Sequence, residues 1–153
     1  MCYDYADRSY ILHCSGGDNT VVYNCKASDY GGAVYARGDS FEVKDFCFYQ
    51  NTANYGGAIY ADGSKMNIRG NDFYGNNANK TGGACYTDVE DINFADNTFI
   101  SDSCGADNGK ELKVCQKQYF GSTKNNTIWS DSAYSTLIDT KTSMPGVTIK
   151  SLG

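Results

Sequence analysis

The stretch NYGGAIYADG at residues 54–63 has a near copy on each side, DYGGAVYARG at 29–38 and KTGGACYTDV at 80–89. A second motif runs between these copies: NTVVYN at 19–24, FCFYQN at 46–51, NDFYGN at 71–76, NTFISD at 97–102 and NTIWSD at 126–131. Aligned on the third residue, the apolar series is Val21, Phe48, Phe73, Phe99 and Ile128, with steps of 27, 25, 26 and 29 residues. Three positions later stand Asn24, Asn51, Asn76, Asp102 and Asp131. A period in the twenties marks a solenoid, whose units cannot bury an apolar face alone and stack to do so. Leucine-rich repeats share the period, but this chain is poor in Leu. Helical repeats are longer and are penalised by paired Gly. What remains is an all-β solenoid, a parallel β-helix of about five to six coils of 25–29 residues. Equivalent residues then stack about 4.8 Å apart along the axis.

Composition agrees. Seventeen Gly, thirteen Tyr and a single Pro in 153 residues suit short strands and tight turns. The length fits one domain, 1–153, with clear repeats over 19–134 and irregular or capping ends at 1–18 and 135–153. A net charge of −5, without a basic run, argues against nucleic acid or an anionic membrane as partner. No stretch approaches the ~20 apolar residues of a membrane helix. The N-terminal MCYDYADRSYILHC has acids where a signal peptide has bases, so an exported protein would have its signal elsewhere and this chain would be an excised piece with an added Met.

Substitutions between copies indicate which side faces in. A fourth, degraded copy, GKELKV at 109–114, aligns Ala33, Ala58 and Ala84 with Glu111, and Tyr35, Tyr60 and Tyr86 with Lys113. Positions that accept Glu or Lys are expected to face water, and Val34, Ile59, Cys85 and Leu112 to form an inner ladder. A second strand follows, with Phe41 and Val43, Met66 and Ile68, and Ile92 and Phe94 inward. Phe48, Phe73 and Phe99 form a stacked core ladder. The Asn24, Asn51, Asn76, Asp102 and Asp131 series is expected at a corner, bonding turn backbone and the next amide up. The paired glycines supply positive φ or close packing at another corner.

GGAV, GGAI and GGAC alternating with FYQN and FYGN, with relaxed copies VVYN, FISD and IWSD, resemble the repeat of the chlamydial-type polymorphic outer membrane proteins and related adhesin-like surface proteins. The resemblance covers roughly residues 19–134. It implies a right-handed coil, exposure at the cell surface or outside the cell, and adhesion. On that basis the chain is expected to be a non-enzymatic, adhesin-like segment that presents a repetitive face to a protein or glycan on a host or other cell.

Each candidate site has a bland counterpart. Tyr35, Tyr60 and Tyr86 form an outer stripe that could contact a sugar or protein, or simply pack as good strand formers. Asp39, Asp62, Asp88, Glu90 and Asp91 collect after that strand, with Arg37 and Lys65 nearby. Such acids could hold calcium or serve a polysaccharide lyase or glycosidase, the main alternative function, but solvated turn acids are the simpler account. No cofactor or metal is expected. His13 is the lone His, so His-based catalysis would rest on it alone. Cys85 and Cys104 read as buried small apolar residues, and Cys2 and Cys14 could close the N-terminal end. Cys25 and Cys47 are close enough in register to pair, and Cys115 is the candidate free thiol. Unpaired strand edges at both ends leave end-to-end self-association, or a purely structural spacer, as a further alternative. The alternating VTIKSL near the C-terminus predicts one more strand.

Overall fold

In the computed structural model, which describes residues 3–5, 11–15, 20–106, 109–114, 119–120, 123–140 and 144–152, the chain winds into an all-β solenoid of about four turns. Its strands fall into three parallel sheets. The first is built on Val34–Lys44, Ile59–Arg69 and Cys85–Ala95, paired so that Val34, Ile59 and Cys85 share one rung position and Tyr35, Tyr60 and Tyr86 the next. Tyr3–Tyr5 and Ile11–Ser15 both pair with Val34–Lys44 on one side. Leu112–Val114, Tyr119–Phe120 and Ile138–Asp139 extend the other. The two short strands expected in each copy are fused into one strand of 11 residues, because pairing continues through the exposed middle at Arg37–Ser40.

The second sheet stacks Val21–Tyr23, Cys47–Tyr49, Asp72–Tyr74, Thr98–Ile100, Asn126–Trp129 and Val147–Lys150. The third joins Thr52–Tyr55, Asn77–Thr81 and Ser103–Cys104. A helix of four residues, Tyr134–Leu137, precedes Ile138. Among the described residues no helix is long and apolar enough to cross a membrane.

Alternation decides what enters the core. Val34, Ile59, Cys85 and Leu112 are all at most 2% exposed, while their neighbours Tyr35, Tyr60 and Tyr86 are half-buried. From the second sheet, Phe48, Phe73 and Phe99 project inward, with ring centroids 5.2 and 4.9 Å apart and planes within 14°. Each buried Phe is worth about 1.5–3 kcal/mol of transfer energy. Ring stacking adds about 0.5–1.5 kcal/mol per pair.

Two corner devices hold the coils in register. At the glycine corner, Gly56 has φ +66°, and a Cβ on Gly57 would lie 2.1 Å from the Gly83 carbonyl oxygen of the next coil. The backbones touch there, so only Gly fits. At the second corner, buried carboxamides bond upward. The Asn51 Nδ2 donates to Val22 O and Asn76 Oδ1, each at 3.0 Å, and the Asn76 Nδ2 donates to Phe48 O at 3.0 Å and Asp102 Oδ1 at 2.9 Å. A second buried ladder, Asn71, Asn97 and Asn126, repeats this arrangement two residues before the Phe position. Together they satisfy backbone groups that a turn would leave orphaned in the core.

Several sequence expectations shift. Val22, not Val21, lies opposite Phe48, and Cys25, not Asn24, donates its N–H to Asn51 Oδ1. The alignment slips by one because VVYN offers two apolar residues and no Phe; Asn24 is exposed with φ 54°. Asp131 is also exposed, and accepts from Ser151 Oγ at 2.7 Å. The Ala33, Ala58, Ala84 and Glu111 position was expected to face water but is buried, Glu111 being 1% exposed. Glu111 tolerates the interior because Asp102 is its neighbour there, as described below. Cys25 is disulfide-bonded, but not to Cys47, which is a free thiol. Cys104 is half-buried rather than buried, since its sheet is only a few residues wide and ends beside it.

Candidate functional site

Three places carry chemistry beyond packing. The first is the outward face of the first sheet. Parallel register puts Tyr35, Tyr60 and Tyr86 in one column, stacked at 5.4 and 5.2 Å. Tyr30 leans over this column, 4.5 Å from the Tyr60 ring and 5.9 Å from Tyr35. Tyr55 stacks on Tyr30 and meets Tyr86 edge-on, both at 5.5 Å. The result is a five-tyrosine cluster rather than a bare stripe. Burial, then the charge of Asp62, pushes the Tyr60 phenol well above the ordinary tyrosine range.

Beside the cluster, Arg37, Asp62 and Asp88 share one column across successive strands. The Arg37 Nε lies 3.2 Å from Asp62 Oδ2, and a hydrogen bond with Tyr35 followed by nearby negative charge holds the guanidinium pKa up. Asp91 lies opposite Lys65 and accepts from Asn93 Nδ2 at 3.4 Å. Asp39 is exposed. The acids are thus spread along the strands, and among the described residues no group of three or more metal-ligating side chains forms. His13 lies on the strand Ile11–Ser15, but its side chain, like those of Glu90, Cys2, Cys14 and Cys115, falls outside the described residues.

The second place was missed by the sequence reading. On the outward face of the second sheet an open groove of about 540 Å³ runs over Cys47, Tyr49, Asp72, Tyr74, Thr98 and Ile100, with Phe73 at its base. Tyr23 and Tyr74 are 58% and 42% exposed, more open than the first column. The signal was present: Tyr23, Tyr49 and Tyr74 each directly follow the inward apolar residue, so strand alternation turns them outward.

The third is a buried acid pair. Asp102 occupies the rung above Asn76 and accepts from its backbone N–H at 2.7 Å and its Nδ2 at 2.9 Å, both on Oδ1. Glu111 occupies the alanine rung above Ala84, and the two carboxyl groups are within hydrogen-bonding reach of each other. Asp102 Oδ2 and Glu111 Oε2 are buried without a hydrogen-bond partner. Burial raises the pKa of both groups, and the Asp102 charge raises Glu111 further. Keeping the pair protonated avoids two charges in a dry core.

Against known proteins, the model of the Chlamydia polymorphic membrane protein repeat matches residues 45–62. That segment runs from the turn before Phe48, through Asn51 and the Gly56–Gly57 corner, into the first sheet at Asp62. No curated protein and no solved structure matches the chain.

Proposed function

We propose that this chain is a non-enzymatic display segment of an adhesin-like protein at the cell surface or outside the cell. It is a right-handed β-helix that presents a repeated side-chain column to a protein or glycan on another cell. The observation that carries the reading is the repetition of one outward group over three coils. Tyr35, Tyr60 and Tyr86 recur in one column, so a partner meets the same group on three successive rungs. The repeat match at 45–62 supports the surface setting, and the right hand follows from the resemblance. The ionic column favours display over catalysis. Arg37 is engaged with Asp62 and Tyr35 rather than poised as a base.

The test incubates the chain with a panel of polysaccharides and matrix proteins, scoring both retention and polymer length. The Tyr35→Ser, Tyr60→Ser, Tyr86→Ser triple variant is run beside it, with circular dichroism to confirm the fold. Retention without shortening is expected. Shortening of any polymer would overturn the non-enzymatic reading, and a complete absence of retention would reduce the chain to a spacer.

A further inference from the structure

The strands of the second sheet are three or four residues long, so each coil offers essentially two outward side chains. One column is short, with Cys47, Asp72 and Thr98; the other is tall, with Tyr49, Tyr74 and Ile100. The step between them is the 540 Å³ groove, about three coils long. Its volume falls within the roughly 300–1,000 Å³ of ordinary ligand sites.

We propose that this groove binds a neutral, linear polysaccharide laid along the solenoid axis, one sugar per coil. The Tyr49 and Tyr74 rings stack at 5.2 Å with planes 12° apart, so their faces cover each other and their edges and hydroxyls point out. A flat aromatic ligand finds no free ring face between them. A polyol finds hydroxyls on successive coils at Tyr49, Tyr74 and, in the short column, Thr98, at a spacing close to the advance per sugar of an extended β-1,4-linked glycan. Asp72 is the one carboxylate in the lining, which holds no base, so a polyanion is repelled. Burial, followed by the Asp72 charge, pushes the Cys47 thiol up and keeps that part of the floor uncharged.

The shape excludes bulkier partners. Two columns span only about 7 Å along each strand. The face therefore offers a few hundred Å², well short of the roughly 800 Å² per partner of a stable protein interface. An extended peptide would seek a sheet edge, whereas backbone groups here are paired between coils. A thin, uncharged chain fits both limits.

The inference rests on the display reading for its setting but names a different face, and the test separates the two. Cellohexaose, mannohexaose and a hyaluronan octasaccharide are titrated calorimetrically into the chain, the Tyr49→Phe, Tyr74→Phe double variant and the Tyr35→Ser, Tyr60→Ser, Tyr86→Ser variant. Binding of a neutral hexaose, weakened at least tenfold by loss of the two hydroxyls but not by the triple variant, is expected. A Cys47→Arg variant, which fills the floor and leaves every Tyr in place, should also abolish it. The groove assignment is overturned if no neutral hexaose binds, if hyaluronan binds better, or if only the triple variant loses binding. That last result would leave the display reading standing. A concentration-dependent dimer abolished by Cys47→Arg would overturn it in favour of a second copy.

Discussion

Replacing Glu111 with Gln should make the protein more stable at neutral pH and flatten its pH dependence. Glu111 and Asp102 are 1% and 5% exposed, and one oxygen of each lacks a hydrogen-bond donor. Folding therefore retains one proton that the unfolded chain, with ordinary carboxyl pKa values near 4, releases. The sign follows directly. Below about pH 4 both states are protonated and the pair imposes no penalty. Above it the folded state binds at least the Glu111 proton in excess, and up to about pH 6 part of the Asp102 proton as well, so unfolding free energy falls by at least about 1.4 kcal/mol per pH unit until the folded pair itself ionises. Between pH 5 and 7 the loss is at least about 2.7 kcal/mol, or roughly 5–10 °C in Tm for a chain of this size. A Gln at 111 supplies an N–H to Asp102 without a titrating proton, and Asp102→Asn should act similarly by restoring the ladder amide. Urea unfolding followed at Trp129, the single tryptophan, at pH 5, 6, 7 and 8 measures this. The wild-type and Glu111→Gln stabilities should diverge as pH rises. Parallel curves would mean that no proton is held, and the reasoning would fail.

Two further outcomes follow from the ladder and the cluster. Asn76→Ala leaves the Asn51 N–H and the Phe48 carbonyl without their buried partners and should cost roughly 2–4 kcal/mol. Asn79→Ala, which breaks an exposed amide pair with Asn54, should stay within about 0.5 kcal/mol; equal losses in chemical denaturation would count against the buried ladder. In an alkaline absorbance titration, Tyr60 should ionise later than the exposed tyrosines, and Tyr60→Phe should remove that last phase. An unchanged profile would show that Tyr60 is not shielded.

Periodicity made the architecture legible, because coil stacking forces equivalent residues into the same environment. The Phe48, Phe73 and Phe99 spacing and the paired glycines both record backbone geometry that few residues satisfy. Where a copy had drifted, legibility failed. VVYN lacks a Phe to anchor its register, so the first rung was misaligned by one. The ladder of Asn71, Asn97 and Asn126 was hidden because Phe46 occupies its position in an earlier copy. Glu111 was read as exposed because a charge normally implies water. The corrective signal was a paired departure: Asp replaces Asn and Glu replaces Ala within the same coil, and each makes the other tolerable. Side-chain pairings of this kind depend on three-dimensional adjacency, which a single sequence shows only once the register is known.

The direction of the hydrogen bonds has a mechanical consequence. In each sheet they run from coil to coil, along the solenoid axis rather than across it. A pull applied between the two ends therefore loads one inter-coil seam after another, in series, instead of shearing them all together. Each seam that yields would release about one repeat of chain, 26 residues between Phe73 and Phe99, or roughly 90 Å of slack at full extension. A coil stack built this way gives under tension in steps of one repeat.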